Sequence, residues 1–217
     1  MILAAGRGER MKPLSDATPK VLLEVRGKPL IVRLIESLAR SGVREIVINY
    51  AHLGHMIEAA LGDGRRFGVA IRYSPEPQAL ETAGGIAQAL PLLGSAPFLT
   101  VNGDILCDFD FSTLVARELE RNLAHLILVA NPPHHPEGDF FLAGSTVGEA
   151  GSAKFTFSGI GLYRPELFAS IKAGSKGQLA PLLRAAMARG LVSGELHRGE
   201  WHDVGTPRRL AELNEPA

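Results

Sequence analysis

The sequence predicts an α/β fold, a mixed and mainly parallel sheet flanked by helices, and three observations predict it. Over the first half, short β-rich apolar runs alternate with stretches of helical periodicity. The runs are nearly continuous in apolar residues rather than alternating, as strands covered on both faces are. Helix punctuation falls between them, with Pro29 opening one helical stretch and Gly42 and Gly62 following the ends of two.

Taken in order, Met1 to Ala4 starts a strand, and Glu45 to Asn49, Val69 to Tyr73 and Pro97 to Asn102 give three more. Pro29 to Ser41, His52 to Leu61 and Thr82 to Leu90 are the intervening helices. The second half is less regular. Phe111 to Leu119 reads as a helix, His125 to Ala130 as a strand, and the proline-rich Asn131 to Gly138 as a loop. Gly144 to Ala153 is a small-residue turn region, Phe155 to Tyr163 a strand and Gln178 to Arg189 a helix. Val192 to His197 is the last strand, and Thr206 to Leu213, with Thr206 as N-cap and Pro207 at the first helical position, the last helix. No repeat or linker interrupts the chain, so residues 1–217 are expected to form one domain with an N-terminal half, 1–110, and a C-terminal half, 111–217.

Composition excludes several classes. Hydrophobic residues are 46% and charged residues 21%, ordinary for a globular chain that can bury its own core. Lys plus Arg and Asp plus Glu are 23 each. A chain of zero net charge has no global field for a polyanion, so nucleic acid is not an expected partner. No apolar run approaches the roughly 18 residues of a membrane span, and MILAAGRGERM is too short an apolar start for a signal peptide. The abrupt start in a strand suggests that a few residues precede Met1. The single Cys107 rules out an internal disulfide and fits a reducing, cytoplasmic setting.

Leu3-Ala4-Ala5-Gly6-Arg7-Gly8-Glu9-Arg10-Met11 follows a strand and is glycine-rich. It is not a dinucleotide fingerprint, because Met11 stands where glycine is needed and Pro13 and Pro19 preclude the long helix; nor is it a P-loop, lacking Gly-Lys-Ser/Thr. A loop whose amides wrap an anion remains, as does a solvated surface loop. Two of six lysines, Lys12 and Lys20, lie in this segment, which favours phosphate. Asp104, ending the strand run Val101-Asn102-Gly103-Asp104, sits where a metal-phosphate ligand is useful in an open α/β sheet, though it could simply turn the chain. Asp203, in Trp201-His202-Asp203-Val204-Gly205, has the same ambiguity. Glycines in Leu80-Glu81-Thr82-Ala83-Gly84-Gly85 admit either close approach of a base or sugar, or a tight helix entry. His52 and His55 read as a solvated helix face, Cys107 as an inert thiol, and His134-His135 as loop.

These motifs have a counterpart. Leu3 to Lys20, LAAGRGERMKPLSDATPK, closely resembles the signature of sugar-1-phosphate nucleotidyltransferases: a glycine-rich loop, an Arg/Lys-Pro-Leu-Thr/Ser step and Pro-Lys. LETAGG, VNGD, FSGI and WHDVGTP follow in the order of that family and together span nearly the whole chain. Two departures are Val21, where proline is usual after Pro-Lys, and the absence of an unbroken triple glycine after Thr82. The Glu-Lys-Pro motif of the hexose-1-phosphate thymidylyltransferases is absent.

The resemblance implies a single Rossmann-like domain of the nucleotide-diphospho-sugar transferase type. It implies transfer of a nucleotidyl group from UTP to a sugar 1-phosphate with Mg²⁺; other readings are a relative that takes glucose, mannose or N-acetylglucosamine 1-phosphate with UTP, dTTP or GTP, or a non-catalytic nucleotide sensor. It puts the metal on Asp104 and Asp203. It puts the nucleotide on Leu3, Ala4, Ala5, Gly6, Arg7, Gly8, Glu9, Arg10, Lys20, Gly85 and Asn102, with Arg10 and Lys20 catalytic. The sugar phosphate side falls to Glu81, Thr82, Asp139, Lys154, Ser158 and Gly159. Asp139 could equally start a strand after a glycine turn. A monomer or small homo-oligomer is expected.

Overall fold

Residues 46 to 49 of Glu45-Ile46-Val47-Ile48-Asn49-Tyr50 are all buried, which a strand achieves only with both sheet faces covered. The computed structural model, which describes residues 1–215, builds such a sheet from that run and its neighbours. In chain order the strands are β1 (Ile2–Leu3), β2 (Glu24–Val25), β3 (Lys28–Pro29), β4 (Glu45–Tyr50), β5 (Ala70–Pro75), β6 (Phe98–Asn102) and β7 (Ile105–Cys107). They continue with β8 (Ala124–Val129), β9 (Phe140–Ala143), β10 (Thr146–Gly148), β11 (Lys154–Tyr163), β12 (Val192–Leu196) and β13 (Trp201–Asp203). The helices are α1 (Leu14–Ala17), α2 (Leu30–Arg40), α3 (Gly54–Leu61), α4 (Glu81–Leu93), α5 (Ser112–Val115), α6 (Leu179–Met187) and α7 (Pro207–Asn214).

One nine-stranded sheet, in the order β5-β4-β1-β6-β11-β8-β12-β10-β9, carries strands from both halves of the chain. The α/β class and the mixed sheet are as expected. Parallel pairing is the rule only in the first half, across β5, β4, β1 and β6. In the second half only β12 and β8 run parallel, and β11 is antiparallel to β6, β8 and β9. The expectation of a mainly parallel sheet is therefore corrected for that half, where short connections replace helical crossovers.

Other differences have local causes. The helix expected over 111–119 is one turn, α5, because Phe109, Phe111 and Leu114 bury as an irregular apolar plug rather than a stripe. The turn region 144–153 contains β10, which pairs with β9 through Gly144 at positive φ. Pro29 ends a β2–β3 hairpin and caps α2, which therefore starts at Leu30, one residue later than expected. β7 and β13 form a separate antiparallel ribbon, three residues each and too short to announce themselves by period.

The parallel half aligns the strand ends that matter. Leu3 lies opposite Asn49 on one side and Asn102 on the other, so the loops leaving β1, β4 and β6 emerge together at the carboxyl edge. Helix α2 covers this region with a stripe of Leu30, Ile31, Leu34, Ile35 and Leu38.

A prediction arises in the second half of the sheet. The His125 ring on β8 is 1% exposed, with Nδ1 2.9 Å from Ser193 Oγ and Nε2 without a hydrogen-bond partner. Glu195 is 3.6 Å from Nε2, beyond hydrogen-bond reach, and is held by Arg117 at 2.6 Å. Burial, with a smaller contribution from Arg117, pushes the imidazole down to about 4. The unfolded chain, with a histidine near 6.5, takes up the proton first, so His125 favours the fold fully above about pH 6.5 and loses that contribution as pH falls to about 4. The loss amounts to roughly 3 kcal/mol. Urea unfolding across this window should show the decline, and His125→Leu should flatten it; an unchanged slope would refute the assignment.

Candidate active site

The carboxyl edge of β1, β4 and β6 opens into a cavity of about 210 Å³ lined by Leu3, Ala4, Ala5, Gly6, Lys20, Val21, Asn49, Ala79, Glu81, Thr82, Asn102 and Asp104. Nine of the residues anticipated from the sequence meet here. The glycine-rich loop supplies one wall. Gly8 is at φ 68° with an ideal Cβ only 3.1 Å from Ser15 Cβ, and its carbonyl accepts from Ser15 Oγ at 2.7 Å and Met11 N at 2.8 Å. A side chain there would meet left-handed backbone and a crowded turn together. At Gly6 an added Cβ would meet nothing within 4 Å, so the loop stays open toward the cavity. Arg7 and Lys12 pair with Glu9 at 3.1 and 2.8 Å on the outside of the loop, and Lys12 chiefly holds that carboxyl below its ordinary range. Arg10 is exposed beside them.

The main chain at Asp104 and at Asp203 comes together although nearly a hundred residues separate them. The β7–β13 ribbon sets Asp203 opposite Ile105, and Val204 N donates to Asp104 O at 2.9 Å. Each carboxylate faces a cation. Lys20 Nζ is ion-paired with Asp104 Oδ2, and its side chain is only 11% exposed. Arg209 Nη1 pairs with Asp203 Oδ1 and donates to Asp203 O at 2.9 Å, while His134 Nε2 lies 3.0 Å from Asp203 Oδ1. No cluster of three or more potential metal ligands exists among the described residues. Asp104 lines the 210 Å³ cavity, whereas the Asp203 side chain lines a neighbouring cavity with His134 and Arg209. A hard carboxylate donor beside open space for phosphate suits Mg²⁺, which takes one or two carboxylates and completes its shell with phosphate and water.

Helix α4 forms the opposite wall. Glu81 has φ 61°, a strained value for a non-glycine residue, and it points the helix entry, with Thr82, into the cavity. Gly85 is not at the cavity surface. An added Cβ would lie 2.5 Å from Glu76 Oε1 and 2.7 Å from Asn49 Nδ2, so its lack of a side chain serves packing beneath the site. Gly84 similarly admits the backbone of Ser175 and Gly177.

The residues expected on the sugar side are more scattered. Gly159, at φ 82°, lets the Asn102 amide approach to where an added Cβ would be 2.5 Å away. Ser158 is 1% exposed; its hydroxyl donates to Ile127 O at 2.7 Å and accepts from Ile160 N at 3.1 Å, fastening the bulge in β11. A substrate-facing hydroxyl is thereby excluded, and the expectation for Ser158 is corrected to a structural one. Asp139 accepts from Phe157 N at 2.8 Å and meets His135 Nε2 at 3.0 Å. Lys154 is exposed at the start of β11, with Nζ 5.5 Å from the Phe141 ring centroid. Neither lines the 210 Å³ cavity.

Four participants were not singled out from sequence for this site: Asn49, Glu76, His134 and Arg209. A polar residue ending the apolar run of β4 was the available sign of Asn49. Arg209 lies one turn into a helix whose N-cap, Thr206, accepts from its backbone N at 3.3 Å, and nothing in that pattern marks its side chain. Cys107 behaves as expected of an inert thiol, since burial pushes it up to about 11. His52 and His55 are exposed.

A glycine-rich loop, a near-buried lysine and a strand-end carboxylate meet at the switch edge of an α/β sheet, and the chain belongs to the nucleotidyl transferase family, whose model matches residues 1–144. It is 58% identical to the N-acetylmuramate alpha-1-phosphate uridylyltransferase of Neisseria meningitidis, over 98% of this chain and 95% of that protein. It is 34% identical to the Caulobacter vibrioides protein of the same name, over 98% of this chain and 96% of the relative. A crystal structure of a Bacillus anthracis protein in complex with sucrose has the same fold, with TM-score 0.85 at 23% identity over 98% of this chain and 92% of that one.

Proposed function

We propose that this chain joins UTP and N-acetylmuramate 1-phosphate to give UDP-N-acetylmuramate and pyrophosphate, in the recycling of peptidoglycan sugars in the cytoplasm. The observation that carries the reading is the end-to-end likeness, at 58% identity, to a relative named for that reaction. The cavity supports it chemically. A phosphate oxygen of the sugar attacks the α-phosphorus of UTP in line, the bond to the β-phosphate breaks, and pyrophosphate leaves with its electron pair. The nucleophile is already an anion, so no general base is required, and the protein's work is positioning and charge neutralisation.

In this reading residues 1–110 hold the nucleotide and 111–217 the sugar. Amides of the Leu3 to Glu9 loop cradle the phosphates, Arg10 balances the departing pyrophosphate, and Lys20 bridges the α-phosphate and the incoming sugar phosphate. Asn102, Glu81 and Thr82 frame the space between. Asp104 and Asp203 would hold Mg²⁺, which when bound supplies positive charge to the phosphate oxygens. The enzyme works as a monomer or small homo-oligomer on small molecules alone, and no helix among the described residues is long and apolar enough to cross a membrane.

Sugar choice gives a test. N-acetylmuramate carries a lactyl carboxylate that N-acetylglucosamine lacks, and a selective site meets it with a cation or donors. Lys154, Arg198 and the 131–140 loop with His135 are the candidates, while Asp139 suits a hydroxyl or the acetamido N–H. Pyrophosphate release with UTP and Mg²⁺ should show kcat/KM for N-acetylmuramate 1-phosphate at least about tenfold above N-acetylglucosamine 1-phosphate, roughly 1.4 kcal/mol. Equal values would remove the muramate assignment and leave a broader nucleotidyltransferase.

A further inference from the structure

From the floor of the cavity, where Asn49 reaches its lining, runs a buried polar chain that is not part of the ordinary sheet ladder. Asn49, at the end of β4, is 2% exposed; its Oδ1 accepts from Ala4 N at 3.0 Å, and its Nδ2 donates to Glu76 Oε1 at 2.6 Å. Glu76, just past β5, is 5% exposed; its other oxygen accepts from Leu80 N at 2.8 Å. Ala4 opens the glycine-rich loop, and Leu80 is the residue from which α4 starts toward Glu81 and Thr82. One side-chain pair therefore ties together the two opposed walls of the cavity.

The donor and acceptor count fixes the chemistry at both positions. Ala4 N can only donate, so the amide oxygen of Asn49 must face it and the amide nitrogen must face Glu76. Leu80 N also can only donate. Glu76 thus meets a donor at each oxygen, and a carboxylate is the side chain of that length with two acceptors. No ion pair to Glu76 is present among the described residues, and burial raises its carboxyl above the ordinary range, against the pull of the two donors. A buried carboxylate without a cation is costly, which a position concerned with packing alone would avoid. Gly85 independently marks the spot, because the network occupies the space a Cβ would need.

We propose that Glu76, acting through Asn49, is a positioning residue that sets the separation between the phosphate loop and the α4 entry, and with it the alignment of the two substrates. The inference rests on the proposed function for what the two walls hold. Misalignment of reacting groups lowers turnover even when each substrate still binds. The wall spacing is consequently expected to appear in kcat more than in the affinity of either substrate alone.

The network allows a swap that preserves shape and net charge. In Glu76→Gln an amide N–H is forced against one of the two donors, and in Asn49→Asp two carboxylates face each other. Combining them restores every pairing: the aspartate introduced at 49 accepts from Ala4 N and from the glutamine amide at 76, whose oxygen accepts from Leu80 N. At a temperature where calorimetry shows all variants folded, each single variant should lose at least about tenfold in kcat, with UTP affinity by titration calorimetry changed less than about threefold. The double variant should recover to within about threefold of wild-type kcat. Gly85→Ala should resemble the single variants. Wild-type kcat in the folded single variants, loss confined to UTP affinity, or a double variant no better than the product of the singles would each overturn the proposal. Amide hydrogen exchange at Ala4 and Leu80, faster in the singles and restored in the double, tests the brace without substrates. It thus separates failure of the brace from failure of the proposed reaction, which wild-type pyrophosphate release decides.

Discussion

Asp203→Asn is expected to lower turnover about a hundredfold at saturating Mg²⁺, the order at which charge stabilisation by a bound metal acts. The substitution keeps the shape and the acceptor for Arg209 while removing the negative charge, so the fold should be undisturbed. Asp104→Asn should cost a similar factor, because the ribbon joins the two residues into one unit through Val204 N and Asp104 O. Groups acting as a unit are non-additive, so the double variant should fall little below either single one. Pyrophosphate release measures the rates, and Mn²⁺ binding followed by electron paramagnetic resonance gives a readout without turnover. A near-normal rate for Asp203→Asn with unchanged Mn²⁺ affinity would sink the pairing.

That pair also illustrates what the sequence made legible. Asp104 could be placed from local pattern, since it ends an apolar strand in an open sheet. Asp203 could not: Trp201-His202-Asp203 is too short to read as a strand, and the ribbon that brings it to Asp104 is fixed only by long-range pairing. The family resemblance supplied the partner that periodicity did not. The same divide runs through the fold. In the first half, β4 and α2 declare themselves through a buried run and an amphipathic stripe, and the parallel sheet follows from their alternation. In the second half the sheet turns largely antiparallel, because β9, β10 and β11 connect through turns, with register set by Gly144 and by the bulge at Ser158. Ser158 itself stood in a motif of the right order, yet its hydroxyl is committed to Ile127 O, a fact of burial that no spacing reveals. The brace of Asn49 and Glu76 was hidden for the converse reason: each residue alone looks like an ordinary polar strand end, and only contact in space makes them a chain.

Lys20→Met is expected to reduce turnover about a hundredfold or more while changing UTP affinity by less than about threefold. Its ammonium lies at the cavity edge against Asp104, in a slot that leaves 11% of the side chain exposed. A cation held in so narrow a slot is expected to interact most strongly with the charge that gathers around the α-phosphorus as the new bond forms, and less with bound UTP. Methionine fills the slot with similar bulk, so the loss is one of charge. It also leaves Asp104 without its counter-cation, so metal affinity should not weaken, which separates this variant from the aspartate ones. Lys20→Arg keeps the charge but brings a planar fork to a pocket shaped for an ammonium, and should recover only part of the rate. Single-turnover rates and equilibrium binding of UTP, measured on the same preparations, check the split. Weaker UTP binding with an unchanged rate at saturation would make Lys20 a binding contact, and the transition-state role would be lost.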